Sequence, residues 1–170
     1  MISGRLRVPF VPTPEPIVRQ MLALADVKPG DHVYDLGAGD GRILSSAVRE
    51  FGATAVGVEL DASRCIEILE RLKRERIEDS VRLIRGDFMV TNLADADVVT
   101  LYLLSSANSE IRPKLESQLR KGARVVSHDF PIKGWTPFRV VNFWDHHNLH
   151  TVYVYKIPHS VPNAITKIPP

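Results

Sequence analysis

Asp35-Leu36-Gly37-Ala38-Gly39-Asp40-Gly41-Arg42 is the stretch whose residue types and spacing point most directly to chemistry. An acid precedes three glycines at alternate positions, and an arginine follows them. Gly37 and Gly39 permit a tight turn and a close approach of ligand to backbone, which a Cβ would block. A helix starting just beyond presents free N–H groups and its positive end to an anionic ligand group. A purely structural strand-to-helix turn uses the same glycines, so the triad alone leaves both readings open. Arg42 stands where the dinucleotide fingerprint needs glycine or alanine, so a nicotinamide or flavin cofactor fits poorly.

Other acids sharpen the reading. Asp35 lies two residues before the first glycine, where a carboxylate can meet an ammonium group. Glu59 lies 22 residues beyond Gly37, where such folds place the acid that accepts both ribose hydroxyls. In Gly86-Asp87-Phe88, Asp87 can accept from an exocyclic adenine amine and Phe88 can stack on the purine. Asp87 as a turn former and Phe88 as a core aromatic are the competing readings. Acid, glycine turn, ribose acid and adenine acid, in that order, describe a ligand with an amino acid head, a ribose and an adenine. That ligand is S-adenosylmethionine. Thr13 and the prolines around it are expected either to fold over this cofactor or to pack against the sheet, and Thr13 also suits the cap of a following helix.

With D-L-G-A-G-D-G at 35–41 as its first motif the sequence resembles the class I S-adenosylmethionine-dependent methyltransferases, and methyl transfer from a sulfonium depends mostly on position and alignment. The acceptor class must therefore be sought in Thr100-Leu101-Tyr102-Leu103-Leu104-Ser105. No Asn/Asp-Pro-Pro-Tyr motif occurs there, and no cysteine nucleophile, since the lone Cys65 falls elsewhere and suits packing. Tyr102 either contacts an acceptor amine or belongs to the core. Phe10, Tyr102, Phe130 and Trp135 are candidates to line an apolar substrate channel, Trp135 because a loop tryptophan is costly to expose. His128 and Asp129 invite a catalytic dyad, but neighbours on a strand point to opposite faces. His146, His147 and His150 suit either a metal site or a polar hairpin end.

These residues need elements to position them. A length of 170 residues suits a single domain, and 44% hydrophobic with 25% charged residues excludes wholesale disorder. One cysteine excludes an internal disulfide and a multi-cysteine zinc site. The net charge of +2 gives no strong polyanion-binding signature, so no direct nucleic-acid binding is expected. Apolar runs are strand-sized and the start lacks a signal-peptide core, so no membrane span and a reducing, cytoplasmic setting are expected.

The periodicity predicts a helix over 14–26, then strands at 32–36, 53–60, 81–85, 97–104 and 123–127. Helices are expected at 41–51, 62–78 and 108–119, and a hairpin of strands 138–143 and 149–157 closes the pattern around a five-residue loop. The repeated alternation implies an α/β fold, a mostly parallel sheet with helices on both faces. Residues 1–16 form an N-terminal arm of the single domain at 1–157, and 158–170 a loosely ordered tail.

Blocks in order across the chain carry a family resemblance: V-P-F-V-P-T-P-E at 8–15, Y-D-L-G-A-G-D-G-R at 34–42, V-V-T-L-Y-L-L at 98–104, R-V-V-S-H-D-F at 124–130, G-W at 134–135 and H-T-V-Y-V-Y at 150–155. Together they resemble the small archaeal protein-lysine methyltransferases, class I seven-strand enzymes related to the non-SET histone H3 lysine-79 methyltransferases. The resemblance implies a Rossmann-like seven-stranded sheet whose last strand inserts between the fifth and sixth. It implies broad methylation of surface lysines, with small DNA-binding chromatin proteins among the protein partners. A monomer is the simplest expectation. An RNA or small-molecule methyltransferase, and a silent S-adenosylmethionine-binding module, share the first half of the pattern.

Overall fold

Apolar runs that end at glycine or an acid become strands, and the amphipathic segments between them become helices. The computed structural model describes residues 10–158, 160 and 161. In chain order they form α1 (Glu15–Leu24), β1 (His32–Leu36), α2 (Arg42–Phe51), β2 (Thr54–Glu59), α3 (Ala62–Glu75), β3 (Val81–Arg85), β4 (Val98–Leu101), α4 (Ser105–Gln118), β5 (Arg124–His128), β6 (Arg139–Asp145) and β7 (Asn148–Lys156). The seven strands make one sheet in the order β3-β2-β1-β4-β5-β7-β6. The first five strands are parallel, and β7 runs antiparallel between β5 and β6. No helix among the described residues is long and apolar enough to cross a membrane.

Alternation along the strands splits the core into two layers. Val33, Val98, Val126 and Val154 face α1, α2 and α3. Their neighbours Tyr34, Val99, Val125 and Tyr155 face α4 and the segments around Leu93 and Ile132. Each fully buried leucine or isoleucine contributes ~1.5–3 kcal/mol. Leu44, Ile68, Leu101 and Ile111 are among them.

Several boundaries differ from the sequence expectation, each for a local reason. The fourth strand stops at Leu101 because its partner Leu36 is the last strand residue before the glycine turn. The chain then leaves the sheet at Tyr102, and α4 starts three residues earlier than expected, at Ser105. The hairpin loop shrinks to His146 and His147, with Trp144 paired to Leu149 and Asp145 to Asn148. Thr13 is not the cap of α1. Pro14 takes that position with no side-chain cap, and the Thr13 hydroxyl turns inward. At the other end packing continues past 158: Ser160 is buried and bonded to Lys156, and Val161 lies against the core. The first nine residues of the expected arm, and 162–170 of the expected tail, lie outside the described residues.

Candidate active site

Parallel strands deliver their C-terminal ends to one edge of the sheet, and there a cavity of about 1120 Å³ opens. Its walls include Thr13, Asp35, Gly37, Gly39, Arg42, Glu59, Asp87 and Phe88, with Tyr102 and Leu103 completing the wall where β4 ends and Leu103 lying against Gly37. The turn after β1 shapes one side. Gly37 and Gly39 both have positive φ, 88° and 58°, which a side chain would strain. A Cβ on Gly39 would also come within 2.6 Å of the Phe10 ring, which lies over the turn. Arg64 sits 3.6 Å from the centroid of that ring and pins it by a cation–π contact.

Glu59 is held by main chain. One carboxylate oxygen accepts the Gly39 N–H at 2.8 Å and the other accepts the Asp61 N–H at 2.9 Å. Asp61 in turn caps α3 through the N–H groups of Ser63 and Arg64. Asp87 receives the Met89 N–H at 2.8 Å at the turn after β3, with the half-buried Phe88 beside it.

Asp35 occupies the floor. The Thr100 hydroxyl donates to its Oδ1 at 2.7 Å. Burial pushes its carboxyl up to about 7, against the pull of the Thr100 hydrogen bond, and the nearby Glu59 and Asp40 charges push the same way as burial. A buried carboxyl without a cationic partner among the described residues is complementary to a ligand ammonium. With a ribose acid at Glu59 and an adenine wall at Asp87 and Phe88, the residues present fit S-adenosylmethionine.

Arg42 lines the cavity and also braces it. Its guanidinium bonds to both oxygens of Asp40, at 2.7–3.1 Å, and to the Thr13 carbonyl at 2.9 Å. The arm is thereby tied to the start of α2, with Phe10, Val11, Pro12 and Thr13 forming one wall.

The wall where β4 ends depends on side chains. Tyr102 follows β4 and its ring lies 4.0 Å, centroid to centroid, from the buried His128 ring. Burial, then the Asp129 charge, raises the Tyr102 hydroxyl above its ordinary value, so it stays protonated at neutral pH. Phe130 stacks behind Tyr102 at 6.2 Å rather than facing the cavity. Trp135, expected in the channel, sits elsewhere. It is buried against Tyr155, with its Nε1–H donating to Glu116 at 2.7 Å. A loop tryptophan does avoid water here, but beside α4.

His128 and Asp129 come together despite being neighbours. Asp129 has φ 59°, so the chain turns left-handed after β5 and the carboxylate swings to 3.3 Å from His128 Nε2. His128 also bonds Thr13 Oγ1 through Nδ1 at 3.0 Å and His150 Nδ1 through Nε2 at 2.8 Å. Burial pulls His128 down to about 4, Asp129 opposing and His150 reinforcing, so it is neutral at pH 7. His146 and His147 remain at the hairpin turn, away from His150, which faces the sheet. Sequence reasoning missed the Thr13–His128 link, the clamp of Asp40 on Arg42, and Leu103 and Glu110 in the wall. Asp40 and Leu103 carried a signal in their closeness to Gly39 and Tyr102; the link between positions 13 and 128 carried none.

Residues 35–139 match the ANTKMT methyltransferase domain. A protein-lysine N-methyltransferase of Saccharolobus islandicus is 44% identical over 88% of this chain and 94% of its own length. The adenine nucleotide translocase lysine N-methyltransferase of Mus musculus is 35% identical over 94% of this chain and 68% of its own length. A solved RNA methyltransferase from Salinibacter ruber, in complex with S-adenosyl-L-homocysteine, is 44% identical and superposes with a TM-score of 0.85, covering 90% of this chain and 97% of that one. With relatives alike over most of its length and a bound cofactor product in one of them, the chain belongs to the ANTKMT methyltransferase domain family and is an S-adenosylmethionine-dependent methyltransferase.

Proposed function

We propose that the enzyme methylates the ε-amine of lysine side chains on protein surfaces, with broad specificity, small basic chromatin proteins being among its acceptors. The charge of the cavity is the observation that carries this reading. Among the described residues Asp35, Asp40, Glu59, Asp61, Asp87 and Glu110 line it, against Arg42 and Arg64. Both cations are committed, Arg42 to Asp40 and Arg64 to Glu67 and the Phe10 ring. A cavity of this charge, with Glu110 outside the set assigned to the cofactor, favours a cationic acceptor over a phosphate backbone. The protein-lysine enzymes among the relatives support the same choice.

When bound, the cofactor supplies an electrophilic methyl on a sulfonium. The chain's own residues must present a neutral amine to it. A lysine near pKa 10.4 costs about 4–5 kcal/mol to deprotonate at pH 7. The apolar wall of Tyr102 and Leu103 lowers that cost by desolvating the ammonium. Tyr102, protonated at neutral pH, positions the amine and does not take its proton. A wall of this kind reads a four-carbon stem with a polar tip, not the residues flanking it, which supports broad specificity.

The Salinibacter ruber relative keeps an RNA acceptor as the second reading. Incubation with methyl-labelled S-adenosylmethionine and separate pools of protein, RNA and metabolites decides between them. Label in protein, located on lysine Nζ by mass spectrometry, is the expected result. Label confined to RNA overturns the lysine reading.

A further inference from the structure

Outside the cofactor cavity, two imidazoles and a carboxylate converge where β5 ends against β7. His128 Nε2 and His150 Nδ1 are 2.8 Å apart, and Asp129 Oδ2 lies 3.3 Å from the first and 3.5 Å from the second. Among the described residues no other three ligating side chains come this close together. We propose that His128, Asp129 and His150 form a binding site for a divalent transition-metal ion of the zinc type.

The size of the triangle is the first support. Metal bonds of about 2.0–2.2 Å set neighbouring ligand atoms about 2.8–3.6 Å apart, from an octahedral to a tetrahedral edge. The three measured separations span that range, so the triangle already matches one face of a coordination sphere. The donor set is the second. Two neutral imidazoles with one carboxylate suit zinc, iron or cobalt better than magnesium or calcium, which prefer oxygen.

Contacts behind the ligands are the third support. Thr13 Oγ1 engages His128 Nδ1 at 3.0 Å, which leaves Nε2 for the ion. Asp129 Oδ1 accepts the Thr151 N–H at 2.8 Å, which leaves Oδ2 free to ligate. Outer contacts of this kind orient metal ligands. Asp129 holds its carboxylate there at the cost of a left-handed backbone, φ 59°. Asp129, at 27% side-chain exposure, provides the entry side. An ion here clips β5 to β7 and, through Thr13, fastens the arm that walls the cofactor cavity.

The competing arrangement is a plain hydrogen bond from His150 Nδ1–H to His128 Nε2 with no ion. Untagged full-length protein, stripped with a chelator, is titrated with Zn²⁺ against a chromophoric competitor and with Co²⁺ under visible absorption. One equivalent is expected, with ligand-field bands of a low-symmetry Co²⁺ site. Asp129→Asn and His150→Ala should each weaken binding by roughly tenfold or more, the scale of disturbing a metal site. The exposed pair His146→Ala/His147→Ala should leave it unchanged. Zn²⁺ should raise the melting temperature of the wild type and not of Asp129→Asn, which decides the matter if His150→Ala fails to fold. No stoichiometric binding, or binding indifferent to Asp129→Asn, or binding lost only in the His146/His147 variant, overturns the site.

Discussion

At the cofactor end of the cavity the wall is largely main chain; at the acceptor end it is side chain. Gly37 and Gly39 bring backbone to the ligand, and Glu59 is fixed by two backbone N–H groups. Tyr102, by contrast, rests on His128, which reaches Thr13 from 115 positions away, with Phe130 behind. A wall of backbone needs a short motif and tolerates few changes at its glycines. A wall of side chains is refitted one residue at a time. The difference suits an enzyme lineage that keeps one methyl donor while its acceptors change.

Variants at each end test this division. The largest effect is expected at Asp35. Asp35→Asn should weaken cofactor binding by roughly 100-fold, about 3 kcal/mol, the scale of breaking a buried ion pair. Calorimetry should show wild-type affinity climbing from about pH 6 to about pH 8, because the ionised carboxylate is the binding form; the variant should stay flat. In the free protein the sign is opposite. A carboxyl raised to about 7 from its ordinary 3.8 contributes stability that is fully present below pH 3.8 and is lost as pH rises through about 7. Asp35→Asn should therefore melt above the wild type near pH 8 and level with it near pH 4. Equal melting temperatures at both would refute the buried, ligand-hungry carboxylate.

Glu59→Ala should come next, weakening cofactor binding by about 1.5–3 kcal/mol through loss of a charged acceptor. The KM for a protein acceptor should not move. A matching rise in that KM would mean that the two ends are coupled, not separate.

The smallest effect belongs to the acceptor end. Tyr102→Phe should lower kcat by roughly 3–10-fold, the worth of one positioning hydrogen bond. Cofactor affinity should stay as it was. The rate should still climb from about pH 7 to about pH 9, as the neutral fraction of the acceptor amine rises. A flattened profile with a loss of two or more orders of magnitude would make Tyr102 the base after all.

Legibility follows the same division. β1 and β3 were readable to the residue because apolar runs end sharply at Gly37 and Gly86, and the cavity walls at Asp35, Glu59 and Asp87 followed from strand ends. The expected fourth strand runs three residues past its observed end, since leucines at 103 and 104 look the same whether they extend a strand or start a turn toward a helix. Trp135 was read as buried but assigned to the wrong place, because burial has no direction in a sequence. Asp129 was misread most instructively. Opposite faces for neighbours hold only while the strand lasts, and the left-handed turn that ends it leaves no mark beyond an aspartate's tolerance for that conformation. Thr13 is in the cavity wall as expected, but its link to His128 has no mark in the sequence, because that partner is fixed only when the whole sheet has assembled.

Asp35 has a consequence for the life of the enzyme in a cell. As pH rises through about 7 the buried carboxyl in the floor ionises and makes the empty protein the more fragile form, and a ligand ammonium relieves it. Proteases act on the population that opens, so the empty enzyme is cleared faster than the loaded one. Abundance is then expected to track the supply of methyl donor, the pool of enzyme shrinking along with its rate when the donor runs short.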